Sequence, residues 1–293
     1  MRILITGGTG LIGRHFINAF QQPYQFTVLT RNGQKAEKLL PAGVEFIEQL
    51  PEQNCFEVII NLAGEPIVDK RWTVQQKEKI CQSRWQITKQ VVAMIERAKF
   101  KPSCLISGSA IGYYGETGKN LTDEDAQVTH TGFAHELCKK WEDIALKAKD
   151  HCRVVLLRTG VVLANDGGAL AKMRWPFYLG LGGKLGHGQQ YMSWIHIEDM
   201  IHAIQFCMLT ATIEGAINCT SPQASTNVAF TKALGQQLNR PTLFSVPEFM
   251  LKLLMGQGAE LLLISQNIYP QKLLIQGFDF NHSNLKYALA DLL

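Results

Sequence analysis

No block of like charge, no Cys-x-x-Cys and no apolar run long enough to span a bilayer occurs in this chain of 293 residues. Each absence removes a class of function. With 29 Lys and Arg against 25 Asp and Glu, the formal charge is +4 and is spread along the sequence, so neither a nucleic-acid-binding stripe nor a polybasic membrane anchor is expected. The cysteines at 55, 81, 104, 138, 152, 207 and 219 are odd in number and scattered. That pattern argues against a disulfide framework and against a metal site, and it fits a reducing cytoplasm. The apolar stretches Phe249–Leu254 and Leu261–Ile264 are separated by Gly256, Gln257, Gly258 and Glu260, and each is too short to cross a membrane. The first residues read as a strand and not as a signal peptide. Internal repeats and low-complexity segments are absent as well.

What the chain does carry is glycine at an informative place. Residues 1–13 read MRILITGGTGLIG: Arg2 to Thr6 has the character of a buried parallel strand, and Leu11 to Phe20 repeats apolar residues at helical spacing. Gly7 permits the tight turn between them, Gly10 lets backbone N–H groups approach a pyrophosphate, and Gly13 lets the helix lie close on the strand. The helix N-terminus adds partial positive charge. This is the layout of a dinucleotide-binding turn.

Strand signals continue at Phe26–Thr30, Val44–Glu48, Val58–Asn61, Cys104–Ser107 and Val154–Arg158, with helical stretches between them, the longest over about Thr73–Lys99 and Phe133–Lys149. Alternation of this kind predicts an α/β fold, a Rossmann-type doubly wound parallel sheet. After Gly160 the pattern changes to a glycine-rich stretch, a strand at Ser193–Ile197, a helix from Glu198, a strand near Ala216–Cys219 and a mostly helical tail. The expected division is a binding domain over 1–165, with further contributions from about 190–220, and a substrate-covering segment with a small C-terminal lobe over 166–293.

In dinucleotide folds an acidic residue at the end of the second strand holds the ribose hydroxyls of NAD, whereas arginine suits the 2′-phosphate of NADP. Here that strand ends in Arg31-Asn32 with no carboxylate, and the planar fork of Arg31 matches a phosphate. NADP is therefore the expected cofactor. Asn61-Leu62-Ala63-Gly64 closes another strand, and its small Ala-Gly pair leaves room for the adenine-side ribose. The expected cofactor contacts are Gly7, Gly10, Leu11, Ile12, Gly13, Arg31, Asn32, Leu62, Ala63, Gly64, Arg84, Ser107 and Gly160.

TGGTGLIG, NLAG and the later SGSAIGYYG segment together resemble the extended short-chain dehydrogenase/reductases, the group that includes nucleotide-sugar epimerases and dehydratases. LRTGVVLANDGGAL, GHGQQYMSWIHIEDM and the tail PQKLLIQGFDFNHSNLKYALADLL place the resemblance closer to an atypical, epimerase-like branch of poorly defined function. In the typical family a Tyr-x-x-x-Lys pair moves the proton, and a serine hydrogen-bonds the reacting oxygen while hydride passes to or from the nicotinamide. Ser109 matches the serine. No tyrosine here has a lysine four residues later, and the expected helix carries Ala134 and Cys138 at the two positions.

The resemblance implies an NADP-binding, epimerase-like oxidoreductase acting on an unidentified small hydroxyl or carbonyl substrate, a nucleotide-sugar among the candidates, although no uridine or sugar signature is present. Tyr113, Tyr114 or His135 then serves as a relocated acid. The alternative is a catalytically weak NADP-binding sensor or scaffold, since some relatives in this branch are described as cell-division-associated. Lys139 and Lys140 lie about 100° or more around the helix from Cys138 and read as solvated charges, and Cys138 itself reads as a packed thiol. Gln190 and Trp194 are expected to contact substrate, His196 to be a core histidine, and Asp199 to stabilise the start of its helix. Arg158 is either at the nicotinamide pocket or a structural ion pair. A homodimer through the two long helices flanking the serine strand is expected by fold analogy.

Overall fold

The computed structural model describes residues 1–128 and 131–293. In chain order the strands are β1 (Arg2–Thr6), β2 (Gln25–Leu29), β3 (Glu45–Ile47), β4 (Val58–Asn61), β5 (Cys104–Ala110), β6 (Arg153–Thr159), β7 (Val161–Leu163), β8 (Gly183–Leu185), β9 (Tyr191–Met192), β10 (Trp194–His196), β11 (Gly215–Cys219), β12 (Ser225–Thr226) and β13 (Phe244–Val246). The helices used below are α1 (Leu11–Phe20), α2 (Gly33–Glu37), α3 (Val74–Arg97), α4 (Phe133–Ala145), α5 (Gly168–Tyr178) and α6 (Ile197–Leu209).

Seven strands form one parallel sheet in the order β11-β6-β5-β4-β1-β2-β3. The chain moves outward from β1 in one direction through β2 and β3, then returns to β4 and continues the other way. That reversal is the doubly wound switch point, and it leaves a crevice at the carboxyl ends of β1 and β4 where ligands bind in open sheets. Strands buried on both faces need continuous apolar sequence. Ile3, Leu4 and Ile5 of β1 and Val58, Ile59 and Ile60 of β4 are accordingly buried.

The long helix begins where its sequence places a cap: the Thr73 side chain accepts a hydrogen bond from the Gln76 N–H, 3.1 Å, satisfying an otherwise orphaned donor. The helix expected to run to Lys149 ends as α-helix at Ala145 and tightens into a 3₁₀ turn over 146–150. The stretch after Gly160 is less loop-like than its glycines imply. It contains β7, paired in parallel with β10, and α5, which starts at Gly168 and includes Pro176. Pro176 sits in the last turn, so the bond that its missing N–H cannot give to Lys172 O is lost only at the end of the helix.

Candidate active site

The crevice opens at the dinucleotide turn. Gly7 has φ +73°, and Gly10 N–H closes the turn on Gly7 O at 2.9 Å. A Cβ on Gly13 would lie 2.6 Å from Gly7 O and 2.7 Å from Gly8 Cα, so α1 meets the turn at a distance only glycine permits. Gly10 caps α1 without a side chain, leaving the first N–H groups of the helix, at Leu11 and Ile12, without intrahelical partners. A dinucleotide pyrophosphate fits such a site on geometry and dipole alone.

At the end of β2, Arg31 is exposed and, among the described residues, makes no ion pair. Asn32 has another role: its side chain caps α2 by accepting from Lys35 N at 2.9 Å. Leu62, Ala63 and Gly64 leave β4 beside the turn, with Ala63 N–H donating to Thr6 Oγ1 at 3.2 Å. Arg84, on α3, packs against Gly64 so closely that a Cβ there would lie 2.8 Å from its Cζ. Its Nη1 donates to Glu65 O and Ile80 O, both at 3.0 Å, and its guanidinium stands 5.3 Å from the Trp141 ring. Ser107 does not reach the crevice. Its side chain is fully buried, 3.4 Å from Asn61 Nδ2.

Above the carboxyl ends of β4, β5 and β6 lies a cavity of about 370 Å³ whose lining includes Ile12, Leu62, Arg84, Ser109, Gly160 and Gln190. Ser109 Oγ donates to Glu142 Oε1 at 2.6 Å. Glu142 in turn holds Arg158 in a two-pronged buried pair, Nε to Oε1 and Nη2 to Oε2, each 2.9 Å. Such a planar fork orients both partners. Arg158 is therefore the structural ion pair and not a cavity wall, and the attraction of Glu142 raises its pKa against the opposing effect of burial.

Both tyrosines expected as acids lie outside the cavity lining. The Tyr114 hydroxyl is buried, donates to Asn218 Oδ1 at 2.7 Å and accepts from Arg158 Nη1 at 2.9 Å. Burial pushes its pKa up to about 12, with Arg158 opposing. Tyr113 lays its ring 3.6 Å from the Arg158 guanidinium. His135 is buried and directs Nδ1 at the Tyr113 carbonyl oxygen. The 3₁₀ turn over Ile111–Tyr114 turns these side chains back toward the ion pair. The phenol that does line the cavity is Tyr191, which sequence reasoning missed because nothing near it resembles a proton-transfer motif.

Other expectations are corrected by placement. Trp194 is completely buried in the core, so it contacts no ligand. Gly160 borders the cavity, and its N–H is bonded to Cys219 O at 3.0 Å. Asp199 does stand in the first turn of α6, and it also accepts from the N–H groups of Asn281, 2.8 Å, and His282, 3.0 Å, tying the C-terminal segment to that helix; the cap of α6 is His196, whose Nδ1 accepts from Glu198 N at 3.2 Å. The exposed residues of α3 and α4, the helices of the expected dimer contact, include Val74, Gln75, Glu78, Lys79, Glu136, Lys139 and Asp143. Cys138 is buried, and burial pushes its thiol up to about 12, away from reactivity.

His196, Glu198 and His282 bring ligand atoms within 4.8 Å of one another. Two of its members are bonded to each other, His282 Nε2 and Glu198 Oε2 at 2.8 Å, and the bond accepted by His196 Nδ1 puts the neutral ring's proton on Nε2, which lies 3.3 Å from Asp291 Oδ2 outside hydrogen-bond geometry. Burial and the stacked His282 ring, 3.7 Å between centroids, push His196 from 6.5 down to about 4. Because the folded value lies below the unfolded one, the stability contribution is complete above about pH 6.5 and is lost as pH falls toward 4, to a total of about 3 kcal/mol. Urea unfolding of wild type and His196→Gln at neutral pH and near pH 4 checks this. The wild type should lose about 3 kcal/mol more than the variant across that interval, and parallel losses would refute it.

The chain is similar to known proteins over its whole length. Residues 3–219 match the model of the NAD dependent epimerase/dehydratase family, and residues 246–292 match a domain of unknown function, DUF1731. The Arabidopsis thaliana chloroplastic homolog of epimerase family protein SDR39U1 is 38% identical over 99% of this chain and 86% of its own length, and a Staphylococcus haemolyticus epimerase family protein is 35% identical over 100% and 99%. The human epimerase family protein SDR39U1, solved with NADPH, superposes with a TM-score of 0.91 at 29% identity, covering 100% of this chain and 99% of that one. A Bacillus cereus UDP-glucuronic acid 4-epimerase, solved with UDP-glucuronic acid and NAD, shares the fold at a TM-score of 0.79 and 16% identity, over 100% and 98%. No described helix is long and apolar enough to cross a membrane. The glycine turn, the crevice at the switch point and these matches together make the chain a member of the NAD dependent epimerase/dehydratase family, with an NAD(P)-binding fold.

Proposed function

We propose that this protein is an NADP(H)-dependent oxidoreductase that acts on a small hydroxyl- or carbonyl-bearing molecule held over Ser109. The observation that carries the reading is the 2.6 Å bond from Ser109 Oγ to Glu142 Oε1 at the edge of a cavity above the dinucleotide turn. Exposed Arg31 at the end of β2 favours NADP over NAD, and the NADPH bound to the human relative is consistent with it. The Leu11 and Ile12 N–H groups hold the pyrophosphate and Arg31 the 2′-phosphate, and the bound cofactor supplies the site's hydride donor or acceptor.

Ser109 and Glu142 take over the proton handling that a Tyr-x-x-x-Lys pair performs elsewhere in the family. The single hydroxyl proton of Ser109 is already committed to Glu142, so Oγ meets a substrate hydroxyl as an acceptor. During alcohol oxidation the substrate proton passes to Ser109 Oγ as the serine's own passes to Glu142 Oε1. Carbonyl reduction runs the same transfers backward. Arg158 holds the carboxylate in place throughout.

Two substitutions test the reading. Arg31→Ala should weaken NADPH about tenfold or more, the worth of a hydrogen bond to a charged group, and leave NADH unaffected, as measured by nucleotide fluorescence titration. Ser109→Ala should leave NADPH affinity intact and lower turnover of a responsive alcohol or carbonyl compound by about a hundredfold or more. NADPH binding with no oxidation or reduction of any compound in a broad panel would support the sensor reading instead.

A further inference from the structure

Resting on the reading of this cavity as the substrate site, we infer that its substrate is an uncharged, largely apolar alcohol recognised through its hydroxyl hydrogen, and not a nucleotide-sugar or other anion. The walls are hydrocarbon: Ile67, Leu137, Met173, Leu185, Leu261 and Leu262 all line the cavity. A volume of about 370 Å³ lies at the small end of ligand sites.

Three polar side chains among these walls have their hydrogen-bond donors spent on the protein. Ser109 donates to Glu142. Gln190 Nε2 donates to Leu185 O and Leu262 O, both at 3.1 Å, and Gln266 Nε2 donates to Ile111 O, 2.9 Å, and Gly115 O, 3.0 Å. Two carbonyl oxygens facing each amide nitrogen settle which end of the amide is which. What remains on all three side chains is acceptor oxygen. Gln190 Oε1 is the sharpest case, because the residue is 3% exposed and this atom has no partner. A buried acceptor left unsatisfied is costly, and a ligand hydroxyl supplies what it lacks.

At these three side chains anions are disfavoured. Phosphate and carboxylate oxygens bring acceptors to acceptors, and the lining offers one charged residue, Arg84, whose Nη1 is already held by two backbone oxygens. A diphosphate is ordinarily met by several cations or a fan of N–H groups. Here the fan of N–H groups belongs to the glycine turn.

The test is a calorimetric titration of the full chain saturated with NADP⁺, after NADP⁺ binding has itself been measured. The probes are the pairs cyclohexanol with fluorocyclohexane and menthol with menthyl fluoride, together with UDP-glucose. Fluorine keeps the shape and polarity of the hydroxyl and removes its donor. At least one alcohol should bind about tenfold more tightly than its fluoride, and UDP-glucose should bind more weakly than that alcohol. Gln190→Leu should erase the preference for the alcohol. Because Gln190 also bridges two carbonyls, the comparison on the unmodified chain stands alone if that variant folds poorly. Equal binding within both pairs, failure of both alcohols to bind, or tighter binding of UDP-glucose overturns the inference. Failure of NADP⁺ to bind overturns the cofactor reading instead, and alcohol binding without oxidation removes the oxidoreductase reading while leaving this one standing.

Discussion

Glu142→Leu should destabilise the protein by about 3 to 5 kcal/mol, the usual consequence of leaving one member of a buried ion pair without its partner. Arg158 and Glu142 side chains are 6% and 5% exposed, so the stranded guanidinium has almost no access to water. The damage spreads along a chain of contacts. Arg158 also supports Tyr114, Tyr114 supports Asn218, and the Asn218 N–H is bonded to Glu124 Oε1 at 2.9 Å. Replacing both charges, Glu142→Leu with Arg158→Met, should recover a large part of the loss, because two desolvated charges are removed together. Urea midpoints for the two single variants and the double form a cycle whose coupling measures the pair. A loss below about 1 kcal/mol in Glu142→Leu would falsify the view that this pair anchors the serine edge of the cavity.

A second large effect is expected at the glycine turn. Gly7 and Gly215 share φ +73°, but an added Cβ meets open space at Gly215, while at Gly7 it would lie 2.7 Å from Ala63 N and 2.7 Å from Leu62 C. Alanine at Gly215 therefore bears only the left-handed backbone cost of about 1 to 2 kcal/mol. Alanine at Gly7 bears that cost plus overpacking against backbone, typically about 1 to 3 kcal/mol more. The displaced atoms belong to the segment leaving β4 beside the turn that we propose holds the cofactor, so Gly7→Ala should also lower NADPH affinity by about a hundredfold. Gly215→Ala should leave that affinity alone. Thermal unfolding and nucleotide titration of the two variants check both statements, and equal effects would mean that backbone strain alone accounts for the loss at Gly7.

The outer architecture was legible because its causes are local. A strand that is buried on both faces must be apolar throughout, as Ile3–Ile5 and Val58–Ile60 are. A helix start must satisfy its orphan N–H groups, as Thr73 does. Close approach of a helix to a turn requires glycine, as at Gly13. The segment after Gly160 was less legible because Gly167, Gly168 and Pro176 resemble loop residues, although here the glycines form the start of α5 and Pro176 costs it a single bond at its end.

By itself, then, the sequence determined the parallel alternation, the dinucleotide turn, the arginine at the end of β2 and the absence of a Tyr-x-x-x-Lys pair. Those features depend on neighbours within a few residues. Only the tertiary structure decided that Ser109 gives its proton to Glu142, 33 residues away, that Tyr114 is withdrawn into an ion-pair network, that Trp194 is core, and that Gln190 keeps an acceptor free. The destination of a hydroxyl or amide hydrogen depends on which distant oxygen the folded backbone brings within about 3 Å, and no local pattern of residue types carries that distance.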